Sequence, residues 1–479
     1  MPSTESGSSA DAHSSSEVLR IQSHLPPGPS SGSPIQEIVD RAYRVHDEWS
    51  LACFIATSVA LFLLLCSVAY FFLGNRGLLR SHYSPRPSLK GAPVLSRPRG
   101  QVPGPVMVCY YDPAWSNDTA RGAWVYHLSQ HFHAEQCTHA VLVAAEYGDR
   151  GIVLPRHVSE SLANFLILRR PSLPVLVSVM VRDVTEAFSN WQQFAQVVVD
   201  WAIKNGFDGV ELDMAEGTAA RGYDALAQAL SRQMALATQL WILSANVYMT
   251  PSFSKQVDLQ ALHRVVDFLV LNTQGLSLDD QVTSAHSPLY GKNSWNSTLG
   301  MVYARTASLS RLVPTVPFMS REFELREKLP SPTSVCAGIG CRGVAAKTQY
   351  HSSPGIRAFF EVCETLNDTS WLKAWQEDDY YFMESKERRF IVLETRESIT
   401  CKMLFVAAHR LLGVALKQLG LDAFRASPEC GPRDTLFDAV DTQFRQFQRS
   451  GDGKLRWMAP RVRLTVVRES GRTSCVGIV

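Results

Sequence analysis

Phe207-Asp208-Gly209-Val210-Glu211-Leu212-Asp213-Met214-Ala215-Glu216 brings four carboxylates to one short stretch of an otherwise apolar run. Carboxylates that close together can divide acid and base roles, because neighbouring charge and burial push their proton affinities apart. The run from Gly206 to Leu212 reads as a β-strand, and a strand sends alternate side chains to the same side. Glu211, Asp213 and Ala215 therefore share one face. Glu216 points to the other, where it reads as a cap of the loop or the next helix, unless a bulge turns it back.

Such a cluster has to be held by a scaffold. From residue 106 onward the chain alternates short apolar runs with helical patterns, the signal of βαβ units and a parallel sheet. The expected strands are 106–111, 139–145, 174–181, 206–213, 241–247, 266–273, 312–318 and 413–419. Between the third and fourth, Trp191 to Trp201 carries apolar residues at helical spacing, with Gly206 as a stop. Eight such units make an α/β fold of the TIM (β/α)8 class, whose functional side chains lie at the C-terminal ends of the strands.

The acidic stretch resembles the signature D-G-x-D-x-D-x-E of glycoside hydrolase family 18, the chitinases and chitinase-like lectins. Asp208, Gly209 and Asp213 match it, Glu211 stands where the family has Asp, and Ala215 stands where it has the catalytic Glu. The resemblance continues through Cys109-Tyr110-Tyr111, Cys137-Thr138-His139, Val266-Asp267-Phe268, Arg321-Glu322-Phe323, Pro354 to Cys363, Glu397 to Lys402 and Gly413 to Phe424. It covers residues 103–432 and implies a small α+β insertion domain, at about 322–402, before the eighth strand. It also implies the disulfides Cys109–Cys137 and Cys363–Cys430. Asp208 is expected to support the barrel rather than the chemistry.

In this family hydrolysis is substrate-assisted. The Glu protonates the leaving oxygen, the sugar's N-acetyl group attacks, and the preceding Asp with a Tyr of the sixth strand orients that amide. Here the positions of that Tyr and the following Asp read Gln274 and Gly275, the Trp floor under the sugar reads Lys417, and the third-strand S-x-G-G reads Ser178-Val179-Met180-Val181. Met180 and Val181 are expected to fill space that the family leaves open. These joint departures point to a catalytically inactive member that binds a glycan, chitin or N-acetylglucosamine oligomers, or a protein partner. The alternatives are an active hydrolase using Glu216, with Asp213 as the remnant of the motif, and a structural or signalling ectodomain without glycan binding. Asp213, Tyr111, Gln274 and Lys417 are the candidate ligand-binding residues, with Lys417 a candidate partner for Asp213. No cofactor and no metal site is expected.

The net charge of +2 comes without a basic run interleaved with aromatics, so nucleic acid is not an expected partner. Residues 1–48, rich in Ser, Pro and Gly, read as a disordered cytoplasmic tail. Residues 49–74 contain an uncharged run, Leu51 to Leu73, long enough for a single transmembrane signal anchor. Residues 75–102 read as a Pro/Arg-rich stalk and 433–479 as a C-terminal extension. The charges flanking the run mildly favour a cytoplasmic C-terminal side. Sequons at Asn117, Asn296 and Asn367 and eight cysteines beyond the run favour the opposite, a type II protein with its large domain lumenal or extracellular. Cys336 and Cys341 suggest a local loop disulfide, and the pairing of Cys401 and Cys475 stays open.

Overall fold

The structure is a computed structural model that describes residues 104–116, 124–214, 219–237, 242–248, 251–274, 281–326, 340–347, 354–448, 463–469 and 472–478, apart from 286, 292, 307, 367, 369–370, 377–379, 386–387 and 429. The tail, the apolar run and the stalk lie outside these residues. So do Asn117, Ala215, Glu216, Gly275, Cys336, Asn367 and the side chain of Cys475. Among the described residues no helix is long and apolar enough to cross a membrane.

In chain order the strands are β1 (Val106–Tyr111), β2 (His139–Gly148), β3 (Gly151–Val153), β4 (Val175–Val181), β5 (Gly209–Met214), β6 (Ile242–Tyr248), β7 (Phe268–Asn272) and β8 (Leu312–Pro317). They continue as β9 (Met319–Leu325), β10 (Gly343–Ala345), β11 (Ile356–Ala358), β12 (Trp371–Gln376), β13 (Tyr380–Ser385), β14 (Arg389–Leu393), β15 (Gly413–Lys417), β16 (Arg463–Glu469) and β17 (Arg472–Ile478). The helices are α1 (Pro113–Ser116), α2 (Leu128–His131), α3 (Arg156–Leu166), α4 (Val184–Ser189), α5 (Trp191–Lys204), α6 (Tyr223–Ala235), α7 (Pro251–Gln256), α8 (Leu259–Val265), α9 (Trp295–Thr306), α10 (Phe359–Leu366), α11 (Arg396–Ala408) and α12 (Thr435–Gln448).

Strands β1, β2, β4, β5, β6, β7, β8 and β15 pair in parallel in that order, and β1 pairs with both β2 and β15, so the sheet closes. This is the expected TIM barrel. Strand alternation sorts two cores. Val106, Val108, Tyr110, Val141, Leu176, Phe268, Val270, Val313 and Ala415 pack inside the barrel. Their neighbours, such as Val177, Val179, Val181, Val414 and Leu416, face outward into the layer between sheet and helices. Val181 therefore does not fill the lumen as the sequence suggested. Only Met180 of that pair alternates inward, beside Asp213 in register.

Between β8 and β15 the chain builds a second, antiparallel sheet, β10-β9-β14-β13-β12 with β11 beside β9. It starts at Met319, directly after the seventh barrel strand. Glu322 anchors it, fully buried and ion-paired with Arg357 and Arg389. Strands β16 and β17 form a separate hairpin whose backbone packs against α11.

Asp208 precedes β5 and accepts from both Nε and Nη2 of Arg169, at 2.9 and 2.6 Å, and from the Val175 amide at 3.0 Å. It ties the start of β4 to that of β5, at the opposite end of the barrel from the site. Cys109 is bonded to Cys137 and Cys363 to Cys430, and Cys401 is also disulfide-bonded.

Candidate functional site

The inward positions of β1, β5, β6 and β15 change from apolar to polar toward the strand ends. Register sets Ser178 and Ser244 on either side of Glu211, because β4 and β6 flank β5. Glu211 is fully buried; its Oε2 accepts from the Tyr110 hydroxyl and, at 3.4 Å, from Ser244 Oγ. Its other oxygen, Oε1, has no protein partner, nor do Ser178 Oγ and Asn246 Oδ1. Buried polar atoms without partners are costly. Burial therefore pushes the Glu211 carboxyl up to about 7, with Lys417 pulling it down and Asp213 adding to the rise. Near neutrality Glu211 holds a proton in much of the population.

One layer nearer the mouth, Asp213 is 5 % exposed. Its Oδ1 accepts from the Met214 amide at 2.7 Å, from Asn246 Nδ2 at 3.0 Å and from the Tyr248 hydroxyl at 3.3 Å. Tyr223 of α6 braces these strands from outside, its hydroxyl 2.6 Å from the Leu212 carbonyl and 2.7 Å from that of Asn246.

Lys417 ends β15 with its ammonium 5.1 Å from the centre of the Tyr110 ring. It makes no ion pair with Asp213. Its charge acts on Glu211 instead, and Asp213 is held by hydrogen bonds from Asn246 and Tyr248. Gln274, after β7, bonds Gln418 reciprocally: Gln274 Nε2 to Gln418 Oε1 at 2.5 Å, and Gln418 Nε2 to Gln274 Oε1 at 3.2 Å. The pair spans the end of β8, and Gln418 holds a left-handed backbone, φ 55°, to reach it.

Tyr111 is not part of this cluster. It faces outward and stacks on Phe165 of α3, 6.2 Å between ring centres, while Tyr110 takes the inward position. Trp124 and Phe318 are likewise committed to packing, Trp124 on Phe360 at 4.4 Å and Phe318 in the outer core. Ser244, Asn246 and Gln418 were not singled out from the sequence. The first two were readable there, as polar residues at alternate positions of an apolar strand with Tyr248 next in line.

A cleft of about 350 Å³ opens beside the barrel mouth at the ends of β2 and β4. Glu146, Tyr147, Asp149, Arg182, Asp183 and Glu186 line it. Arg182 pairs with Glu146 at 2.5 Å, and Asp149, by accepting a hydrogen bond from the protonated Glu186 carboxyl and by its charge, raises the Glu186 carboxyl. Glu146 lies beside Met180, which lies beside Asp213, so the cleft adjoins the acidic strand.

This arrangement can hold a polar, uncharged group at the strand ends through Asp213, Asn246, Tyr248 and Gln274. Among the described inward residues, the two carboxyls of β5 are already engaged by internal donors.

Residues 106–422 match the model of glycosyl hydrolases family 18. The chain is 25 % identical over 351 residues to the oviduct-specific glycoprotein of Ovis aries, covering 67 % of this chain and 64 % of that one. It is 24 % identical over 353 residues to the endochitinase of Manduca sexta, covering 63 % and 61 %. It thus spans less than two thirds of either relative. Its fold superposes on human YKL-39, described as a pseudo-chitinase with retained chitooligosaccharide binding, with a TM-score of 0.61 at 16 % identity over 71 % of this chain and 99 % of that one. The family match covers most of the barrel, and the chain belongs to glycosyl hydrolase family 18.

Proposed function

We propose that this protein is a chitinase-like glycan-binding protein without glycosidase activity, carried on a membrane by the apolar run at residues 51–73. The observation that carries this reading is Ala215, an apolar methyl where the family's acid stands. The chemistry needs one carboxyl within hydrogen-bond reach of the glycosidic oxygen. The engagement of Glu211 with Tyr110 and of Asp213 with Asn246 and Tyr248 supports it, as both acids already serve internal donors. Chitooligosaccharide binding by the pseudo-chitinase YKL-39 makes N-acetylglucosamine oligomers the first ligand to test.

Two measurements decide. A fluorogenic chito-oligosaccharide should give no turnover above buffer, and calorimetry with chitopentaose should show saturable binding weakened by Asn246→Ala. Turnover by the wild type that Glu216→Gln abolishes would overturn the inactive reading and make Glu216 the acid. Absence of binding to any N-acetylglucosamine oligomer would overturn the glycan reading. Asn296 is exposed at the start of α9, so a glycosidase-sensitive mass there would support exposure to the secretory lumen.

A further inference from the structure

The connections that lead into the strands form the base of the barrel, opposite the mouth. Along one arc of it they run 409–412 before β15, 104–105 before β1, 132–138 before β2, 167–174 before β4 and 205–208 before β5. These five strands are neighbours in the sheet. Side chains and backbone tie the connections to one another. Arg170 of the β4 connection pairs with Glu135 of the β2 connection, and Arg169 Nη2 lies 2.6 Å from Asp208 Oδ1 of the β5 connection. The Thr138 amide donates to the Met107 carbonyl of β1 at 2.9 Å.

Glu135 and Asp208 are the acids of these five connections, and each is matched by an arginine. Lys204, the last residue of α5, and Arg410, before β15, add exposed positive charge to the same end. Apolar side chains stand out beside them. Ile167, the residue after α3 and two before Arg169, is 79 % exposed, more than any other large apolar side chain described. Ile203, in the last turn of α5, is 40 % exposed, and Leu236, which closes α6, is 66 % exposed. Helices α5 and α6 pack on each other, so these two ends are neighbours.

We propose that the base of the barrel rests on a phospholipid bilayer, with Ile167, Ile203 and Leu236 entering the acyl boundary and Lys204 and Arg410 meeting headgroup phosphates. Apolar tips set among cations are the pattern of an interfacial membrane contact. A folded protein partner asks instead for one contiguous, well-packed centre with aromatic or arginine anchors. Here the three apolar side chains stand on three separate helix ends, and the arginines between them are held by Glu135 and Asp208. Chain connectivity favours the same partner: Gly104 and Pro105 lead into β1 at this end, so any anchor earlier in the chain is joined to the base. That last point rests on the reading of residues 51–73 as an anchor; the surface chemistry does not. Seated this way, the barrel turns its mouth away from the lipid, toward a glycan.

The test uses the full chain with vesicles of phosphatidylcholine and phosphatidylglycerol that carry a trace of a photoactivatable phospholipid. Illumination, digestion and mass spectrometry then show which peptides bear lipid. Adducts are expected on the peptides holding Ile167 to Pro171 and Ile203 to Phe207, and not on those of Tyr147 or Asp183 at the mouth. Ile167→Asp with Leu236→Asp should cut the base adducts at least about fivefold, because a carboxylate does not enter the acyl boundary. Its melting temperature should stay unchanged, since both side chains are exposed. Lys204→Glu should weaken the adducts further at low salt than at high salt, as screening requires. Extraction with alkaline carbonate, which strips peripheral proteins, reads the anchor separately. Release of the wild type by carbonate would sink the anchor reading and leave the adduct map to decide this one. Adducts at the mouth instead of the base, base adducts unchanged in the double variant, or no adduct on the barrel would each overturn the proposal. So would a dimer in detergent that Ile167→Asp dissolves, because the face would then meet a second copy.

Discussion

Glu211 is the residue whose chemistry depends most on where the barrel puts it. Its carboxyl rises from 4.5 to about 7 because burial outweighs the attraction of Lys417. A raised folded value means that its stability contribution is complete below the unfolded value and lost as pH climbs through the folded one. At 1.36 kcal/mol per unit, that loss is on the order of 3 kcal/mol. Denaturant unfolding should therefore show stability falling from about pH 5 to about pH 8, and Glu211→Gln should flatten that limb. Lys417→Met removes the charge that holds the value down, so its limb should move to higher pH. His139 works in the other direction. Burial lowers it from 6.5 to about 4, so its contribution is present above the unfolded value and disappears as pH falls through the folded one. Restoring the acid by Ala215→Glu is a further residue-scale test. A positioned general acid is worth about 10²–10⁴-fold, but only for a substrate held in a reactive pose. The groups that would hold it read Gln274, Gly275 and Lys417. Ala215→Glu is expected to give no hydrolysis of a fluorogenic chito-oligosaccharide.

At the scale of elements, helices reach the barrel through buried polar pairs as well as apolar faces. Thr395 and Ser398 form a capping box at the start of α11, and Lys402 of that helix pairs with Glu394, both side chains almost wholly buried. Breaking a buried pair leaves one charge uncompensated and costs about 3–5 kcal/mol. Lys402→Met should lower the unfolding free energy by that order. Lys402→Met with Glu394→Gln should recover a large part, because the orphaned charge is gone. A double variant no more stable than the single one would show that packing of Lys402 over Trp295, 5.8 Å away, matters more than its charge.

For the whole molecule, closure is reinforced covalently. Cys109–Cys137 joins β1 to the start of β2, and Cys363–Cys430 joins α10 of the inserted segment to the chain beyond β15. Removing either by paired Ala substitution should cost about 2–5 kcal/mol, seen as a lower melting temperature that reducing agent does not depress further for that bond. Asp422 reinforces the same seam. Its carboxylate accepts from the amides of Leu436 and Phe437 at the first turn of α12, and burial raises it to about 6 despite those bonds.

The sequence by itself determined the barrel. The eight apolar runs and the helix between the third and fourth recur as observed elements within a few residues, because periods of 2 and 3.6 are local properties of the chain. Alternation along β5 placed Glu211 and Asp213 on one face, and the family resemblance carried both cysteine pairs. Only the tertiary structure decided what those residues meet. Tyr110 rather than Tyr111 is inward because a one-residue shift in register reverses every face. Gln274 finds Gln418 across 144 residues of chain, and Lys417 answers Glu211 instead of Asp213, through closure of a sheet whose ends are far apart in sequence. Local pattern sets which side chains are available to a face, and long-range packing sets their neighbours, their burial and therefore their proton affinity.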